Sequence, residues 1–152
     1  MKRMLAAVDG SEASTRAVEF AADLAAKFQA ELVLVCVVGR EALPDFAVMD
    51  VQLDQVRGGA GEAGGVGHFA ESVARDALAK ARKQAAARGA ESIRTEVGFG
   101  DPAQEILKFQ EQTGAELIVV GSRGRGRLAG LLLGSVSQKV ASLAACTVAI
   151  AR

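Results

Sequence analysis

Short apolar runs alternate with helical patterns along this whole chain, and no other feature restricts its fold as much. "RMLAAV" (Arg3–Val8), "ELVLVCVV" (Glu31–Val38), "ELIVVG" (Glu116–Gly121) and "CTVAIA" (Cys146–Ala151) are nearly continuous apolar stretches of strand length. That is the pattern of strands covered on both faces. "SIRTEV" (Ser92–Val97) alternates Ile93, Thr95 and Val97 with Arg94 and Glu96, as in a strand with one face partly exposed. Segments of helical period lie between these runs. In Ser11–Phe28, Ala13, Ala17, Phe20, Ala21, Leu24 and Phe28 recur at helical spacing behind Ser11 as N-cap. Phe69–Gly89 reads as an alanine-rich helix closed by a glycine. Asp101-Pro102 opens another: Asp101 caps it, Pro102 fits its first turn, and Gln104 stands at the capping-box position. Ser135–Ala144 predicts the last helix, with Val136, Val140 and Leu143 on one face.

Strands alternating with helices predict an α/β fold: three layers, with a doubly wound, five-stranded parallel sheet between helices. Right-handed crossovers cover both faces only if the strand order reverses. Ligands bind beyond the carboxyl ends of the strands at that reversal. With the order 3-2-1-4-5, the reversal falls between the first and fourth strands. Asp9 ends the first and Gly121 the fourth, so the two would meet in one crevice. At 152 residues the chain suits one domain over 1–152. The connection from Gly39 to His68 is long and has six glycines between Gly58 and Gly67, which predicts a mobile segment beside that crevice.

Gly121-Ser122-Arg123-Gly124 follows the fourth strand, and Gly134-Ser135 comes nine residues later at the head of a helix. Glycine lets backbone N–H groups approach a phosphate closely, because no Cβ intervenes. A helix start adds unpaired N–H groups and about half a positive charge. Ser135 and Ser137 carry hydroxyls in the first turn, where they would donate to phosphate oxygens. Arg123 is the arginine expected to touch an anion; Arg125 and Arg127 read as surface charge that attracts it. A flexible turn before a Ser-capped helix is the blander alternative. The strand context and the later Gly-Ser favour anion binding. No Gly-Lys-Ser/Thr occurs, and the first turn, Asp9-Gly10-Ser11, lacks the dinucleotide fingerprint.

Composition narrows the function further. Lys+Arg equals Asp+Glu at 18 each, and there is no Trp or Tyr, so a basic stripe with stacking aromatics, the mark of a nucleic-acid binder, is missing. No apolar run approaches the roughly 20 residues of a membrane helix, and the amino-terminal stretch reaches Asp9 too early for a signal peptide. A soluble, cytoplasmic protein is expected. His68 is the lone histidine and reads as a solvated loop residue, so neither a Ser-His-Asp triad nor a zinc site is expected. Cys36 and Cys146 read as buried thiols. The apolar fifth strand at the sheet edge invites pairing with a second copy.

The spacing Gly121-x2-Gly124-x9-Gly134-Ser135, the opening "LAAVDGSEAS" and the run "GSRGRGRLAGLLLGSVSQKV" together resemble the universal stress protein family, in its ATP-binding branch. The resemblance covers essentially the whole chain. It implies an adenine nucleotide alpha hydrolase-like sheet and ATP as ligand, with Mg2+. It further implies adenine against Ala7, Val8 and Val37, and Asp9 near the ribose and phosphates. Phosphates would lie on Val120, Gly121, Arg123, Gly124, Gly134, Ser135, Val136 and Ser137. The implied role is a nucleotide-dependent regulatory module in the stress response, homodimeric through the last strand, with a protein partner to read its state. No residue is assigned to catalysis. Slow ATP hydrolysis, nucleotide-dependent group transfer, or a dimeric scaffold without nucleotide are the alternatives. The chain departs from the family in lacking prolines around Cys146 and in its glycine-rich insertion at Gly58–Gly67.

Overall fold

The computed structural model describes residues 1–39, 62–124 and 133–152. In chain order the elements are β1 (Arg3–Ala7), α1 (Glu12–Phe28), β2 (Glu31–Val38), α2 (Glu62–Ala87), β3 (Ile93–Phe99), α3 (Pro102–Thr113), β4 (Leu117–Gly121), α4 (Ser135–Leu143) and β5 (Thr147–Ala151). The five strands form one sheet, parallel as the alternating pattern predicts, in the order β3-β2-β1-β4-β5 that the family resemblance implies. β1 is its centre: Ala6 stands opposite Leu34 of β2 on one side and Val119 of β4 on the other.

Alternate strand residues point to opposite layers, so each strand feeds two cores. Met4, Ala6, Leu32, Leu34, Leu117 and Val119 pack with α1 and α2. Leu5, Val33, Val35, Ile118 and Val120 pack with Ala103 and Ile106 of α3 and Val140 of α4. Cys36 is buried in the first layer, whereas Cys146, read as buried, is only half-buried where it packs against the second, so the sheet separates the two thiols. Burial pushes the Cys146 thiol up from its ordinary value.

Three expectations are corrected. Helix α1 buries Ala13, Ala17, Val18, Ala21, Ala22 and Ala25 rather than its aromatic residues. Phe20 and Phe28 are 46% and 49% exposed, because a surface of alanines lets the helix lie closer to the sheet than phenylalanine would allow. On α4, Val140 is buried, but Leu143 is 65% exposed, since it sits in the last turn beyond the α3 contact. Helix α2 begins at Glu62, so the stretch read as the end of a loop is helical and His68 is exposed on that helix. An alanine stripe (Ala70, Ala74, Leu78, Ala81, Ala85) anchors it, and propagation from that anchor costs less than nucleation. The rest of the predicted mobile connection, residues 40–61, lies outside the described residues.

The caps follow sequence. Ser11 Oγ accepts from Ser14 N at 3.1 Å and Asp101 Oδ1 accepts from Gln104 N at 3.0 Å. Asp101 also meets Lys139 Nζ of α4 at 3.2 Å, which joins the two helices that cover one face. The Gln104 N–H first, then Lys139, lowers the Asp101 carboxyl below its ordinary value. A depressed folded-state pKa stabilises above the unfolded value of about 3.9 and is lost as pH falls through the folded value. Asp101→Ala is therefore expected to cost about 1 kcal/mol at neutral pH in urea unfolding. The difference from the parent should shrink as the pH is lowered below about 4.

Candidate nucleotide cleft

The sheet reverses between β1 and β4, and beyond their carboxyl ends lies a cleft of about 290 Å³, close to the lower bound of small-ligand pockets at about 300 Å³. Its two ends differ in chemistry. Toward β2, the walls are apolar: Ala7, Val35 and Val37 from the strands, Pro102 and Ile106 from α3. Toward β4, the walls are backbone and charge: Asp9, Gly121, Arg123, Gly124 and the start of α4. All the residues singled out in the sequence line this one cavity: Ala7, Val8, Asp9, Val37, Val120, Gly121, Arg123, Gly124, Gly134, Ser135, Val136 and Ser137. Arg125 and Arg127 lie outside the described residues.

The three loop glycines are needed for different reasons. None has a left-handed φ, so what matters is space. A Cβ on Gly121 would stand 2.8 Å from the Ala13 carbonyl carbon and 2.9 Å from Ser14 N. The first turn of α1 presses directly on the end of β4 there, and backbone cannot yield. A Cβ on Gly124 would stand 2.8 Å from Asp9 Oδ2, so this glycine admits the carboxylate to the loop. At Gly134 a Cβ would meet nothing closer than 3.5 Å. Packing against the described residues gives no reason for glycine at that position, and φ −75°, ψ 161° suits any residue.

Gly134 is nevertheless the N-cap of α4, and it makes no side-chain cap bond. Helices α1 and α3 satisfy their starts with Ser11 and Asp101, whereas Ser135, Val136 and Ser137, which open α4 and line the cleft, have no side-chain cap among the described residues. The loop that presents them is fixed by Gly134 N donating to Ser122 O at 2.7 Å and Ser122 N donating to Ala151 O at 2.6 Å. Ser137 Oγ donates to the main chain, 2.9 Å from Gly134 O and 3.2 Å from Ser122 O. This corrects the reading of its hydroxyl as a phosphate donor: its single proton ties α4 to the loop, and what it offers a ligand is its amide. The Ser135 side chain is exposed.

Asp9 is held from behind. Its Oδ1 accepts from Ser11 N at 2.8 Å, and its own amide reaches Ser14 Oγ at 3.4 Å. That orients the second carboxylate oxygen toward Gly124. Arg123 is the cation among the described lining residues, and its carbonyl accepts from Ser11 Oγ at 3.4 Å. Reading the sequence alone missed Ser14, Val35, Pro102, Ile106 and Leu133. Val35 was legible from Val37, because residues two apart on a strand share a face. Pro102 and Ile106 enter only through the packing of α3 against β2.

Two of the glycines are expected to separate on substitution. Gly121→Ala forces a backbone clash, and overpacking of this kind costs about 1–3 kcal/mol. Gly124→Ala displaces only a side-chain oxygen and should cost no more than about 0.5 kcal/mol, the range for an ordinary surface change. Urea unfolding of the two variants beside the parent measures both.

The comparisons with known proteins agree with one another. The model of the universal stress protein family matches residues 1–152. Universal stress protein YxiE of Bacillus subtilis is 37% identical over 157 residues, covering 99% of this chain and 98% of that protein. Among solved structures, universal stress protein UspA of Lactobacillus plantarum superposes with a TM-score of 0.76 at 26% identity, covering 99% of this chain and 97% of the other. A universal stress protein solved in complex with cAMP superposes with a TM-score of 0.68, also at 26% identity, covering 99% and 96%. On its sequence and its sheet order alike, this chain belongs to the universal stress protein family.

Proposed function

We propose that this protein is an adenine-nucleotide-binding regulatory module that holds ATP in the cleft between β1 and β4. The observation that carries the reading is the pairing of an apolar slot with an uncapped helix start in one cavity. The base would lie against Ala7, Val8 and Val37. The phosphates would take the amides of α4, with Arg123 beside them. A helix start whose N-cap lacks a side chain suits an anionic ligand, which supplies the missing acceptors. Gly134, under no packing requirement from the described residues, leaves the room for it. A relative 26% identical binds cAMP, which supports an adenine ring in this family's cleft.

The residues present fit Mg2+ only in company with phosphates. Asp9 is the acidic residue among the described lining residues, and no group of three or more metal-ligating side chains occurs among the described residues. Magnesium commonly binds through one or two carboxylates plus substrate phosphates, and Asp9 would serve as that carboxylate. Binding is favoured over turnover because Asp9 has no catalytic companion: neither His nor a second carboxylate lines the described cleft. An ATP-ordered loop read by a protein partner would make the module a switch.

A second copy pairing through β5 completes the proposal. β5 is an edge strand with Val148, Ala149 and Ile150 half-buried, and an open apolar edge invites a partner strand. The Ala151 carbonyl accepts from Ser122, on the β4 side. Alternation along the strand then turns the Val148 and Ile150 amides outward. Val148→Pro removes one outward donor at a position where an edge strand tolerates proline. Sedimentation velocity is expected to give a dimer for the parent and a monomer for this variant.

The nucleotide site is tested by thermal unfolding of nucleotide-free protein with and without Mg-ATP. Ligand at 100 times its dissociation constant adds about 2.7 kcal/mol to native stability. Gly134→Asp is the matched variant: its carboxylate caps α4 internally and repels phosphate. Its own stability is expected to stay within a few tenths of a kcal/mol, roughly the Gly-to-Asp difference at an N-cap, while the ATP-dependent shift disappears. Absence of a shift in the parent at millimolar nucleotide would refute the reading.

A further inference from the structure

A second cavity, of about 350 Å³, shares Arg123 and Gly124 with the cleft and is otherwise built from Ser122 of the same loop, the cap and first turns of α1 and the residue after β5. Three arginines line it: Arg16 from α1, Arg123 from the β4 loop and Arg152 after β5. They come from positions far apart in sequence and are assembled only by the fold. Among the side chains lining it, one carboxylate stands against them, Glu12, which is engaged with Arg16. Arg123 and Arg152 make no ion pair among the described residues. Most of the other arginines of the described residues do pair: Arg3 with Glu31, Arg75 with Glu71, Arg88 with Asp23 and Arg94 with Glu96. A concavity with surplus guanidinium charge is the uncommon arrangement on this otherwise balanced surface.

Like charges brought together cost free energy unless an anion joins them. Guanidinium groups present planar forks that match the oxygens of a phosphate, and such charge-assisted bonds are the strong ones. We infer that this cavity is a second phosphate-binding site, for a phosphate-bearing anion separate from the nucleotide in the cleft. Its position follows from the fold: Ser122 N, bonded to Ala151 O, holds the end of β5 and therefore Arg152 beside the loop that carries Arg123. Arg16 and Arg152 line this cavity and not the cleft. The inference thus stands or falls apart from the proposed function.

The experiment uses inorganic pyrophosphate as probe, followed by calorimetry and by phosphorus NMR line broadening on the full chain. The double variant R16Q/R152Q is compared with R75Q/R82Q, which removes the same charge from α2. All four side chains are on exposed residues, so both variants are expected to fold, with melting temperatures near the parent's. R16Q/R152Q should weaken pyrophosphate binding about tenfold or more, as loss of a charge-assisted bond of about 1.5–3 kcal/mol requires. R75Q/R82Q should leave it unchanged, and the ATP-dependent stabilisation should persist in both. The inference is overturned if the parent binds no pyrophosphate at millimolar concentration, or if R16Q/R152Q leaves binding intact. It is overturned equally if the two double variants weaken binding alike, or if R16Q/R152Q abolishes ATP binding along with pyrophosphate. Should the parent bind pyrophosphate in this arginine-dependent way but not ATP, the second site stands and the nucleotide reading fails.

Discussion

β1 is hydrogen-bonded to β2 on one side and β4 on the other, and the rest of the molecule is arranged by that placement. Because the chain returns to opposite sides of β1, its crossovers cover both faces and leave a gap where the order reverses. The gap needs no special residue to open it. What the sequence adds is Asp9, two residues past the end of β1, and Gly121, the last residue of β4, chosen so that the walls of the gap can approach each other. The Gly121 contact with the first turn of α1 is backbone against backbone, and it fixes how far the β4 loop stands from Asp9.

From that contact the loop is built in short steps. Ser122 bonds in three directions: its amide to Ala151, its carbonyl to the amide of Gly134, and the same carbonyl to the Ser137 hydroxyl. The start of α4 is thereby held without using its own first-turn amides. A protein that needed only a stable helix there would have placed Ser or Asp at the cap, as this one does for α1 and α3. Leaving Gly134 in that place forgoes only a few tenths of a kcal/mol relative to a good cap, and exposes donors to whatever occupies the cleft. The apolar slot beside them, backed by the core of the α3–α4 face, gives an amphipathic ligand a reason to bind in one orientation.

The strand positions and the caps were legible because each rests on local chemistry: buried runs of Val, Leu and Ile, and Ser11 and Asp101 before helical periods; the sheet order is not local and came only with the family resemblance. The cleft was legible through two strand ends and a glycine spacing. Packing between elements was less so. Periodicity alone could not tell that α1 would turn alanines inward and leave Phe20 and Phe28 out, since both sets recur at helical spacing. It could not show that Pro102 and Ile106 of α3 would wall the cleft, nor that the Ser137 hydroxyl would be spent on the main chain. The arginine cavity is the extreme case: Arg16, Arg123 and Arg152 have no sequence relation and meet only through the crossing of α1, β4 and β5.

The central claim is that one cleft joins an apolar base subsite to a phosphate subsite. Calorimetric titration of the nucleotide-free protein with adenosine, AMP, ADP and ATP in the presence of magnesium tests it most directly. The account predicts that affinity rises along the series as phosphates reach the α4 amides and Arg123. Affinity that is equal for adenosine and ATP, or absent for all four, would contradict it.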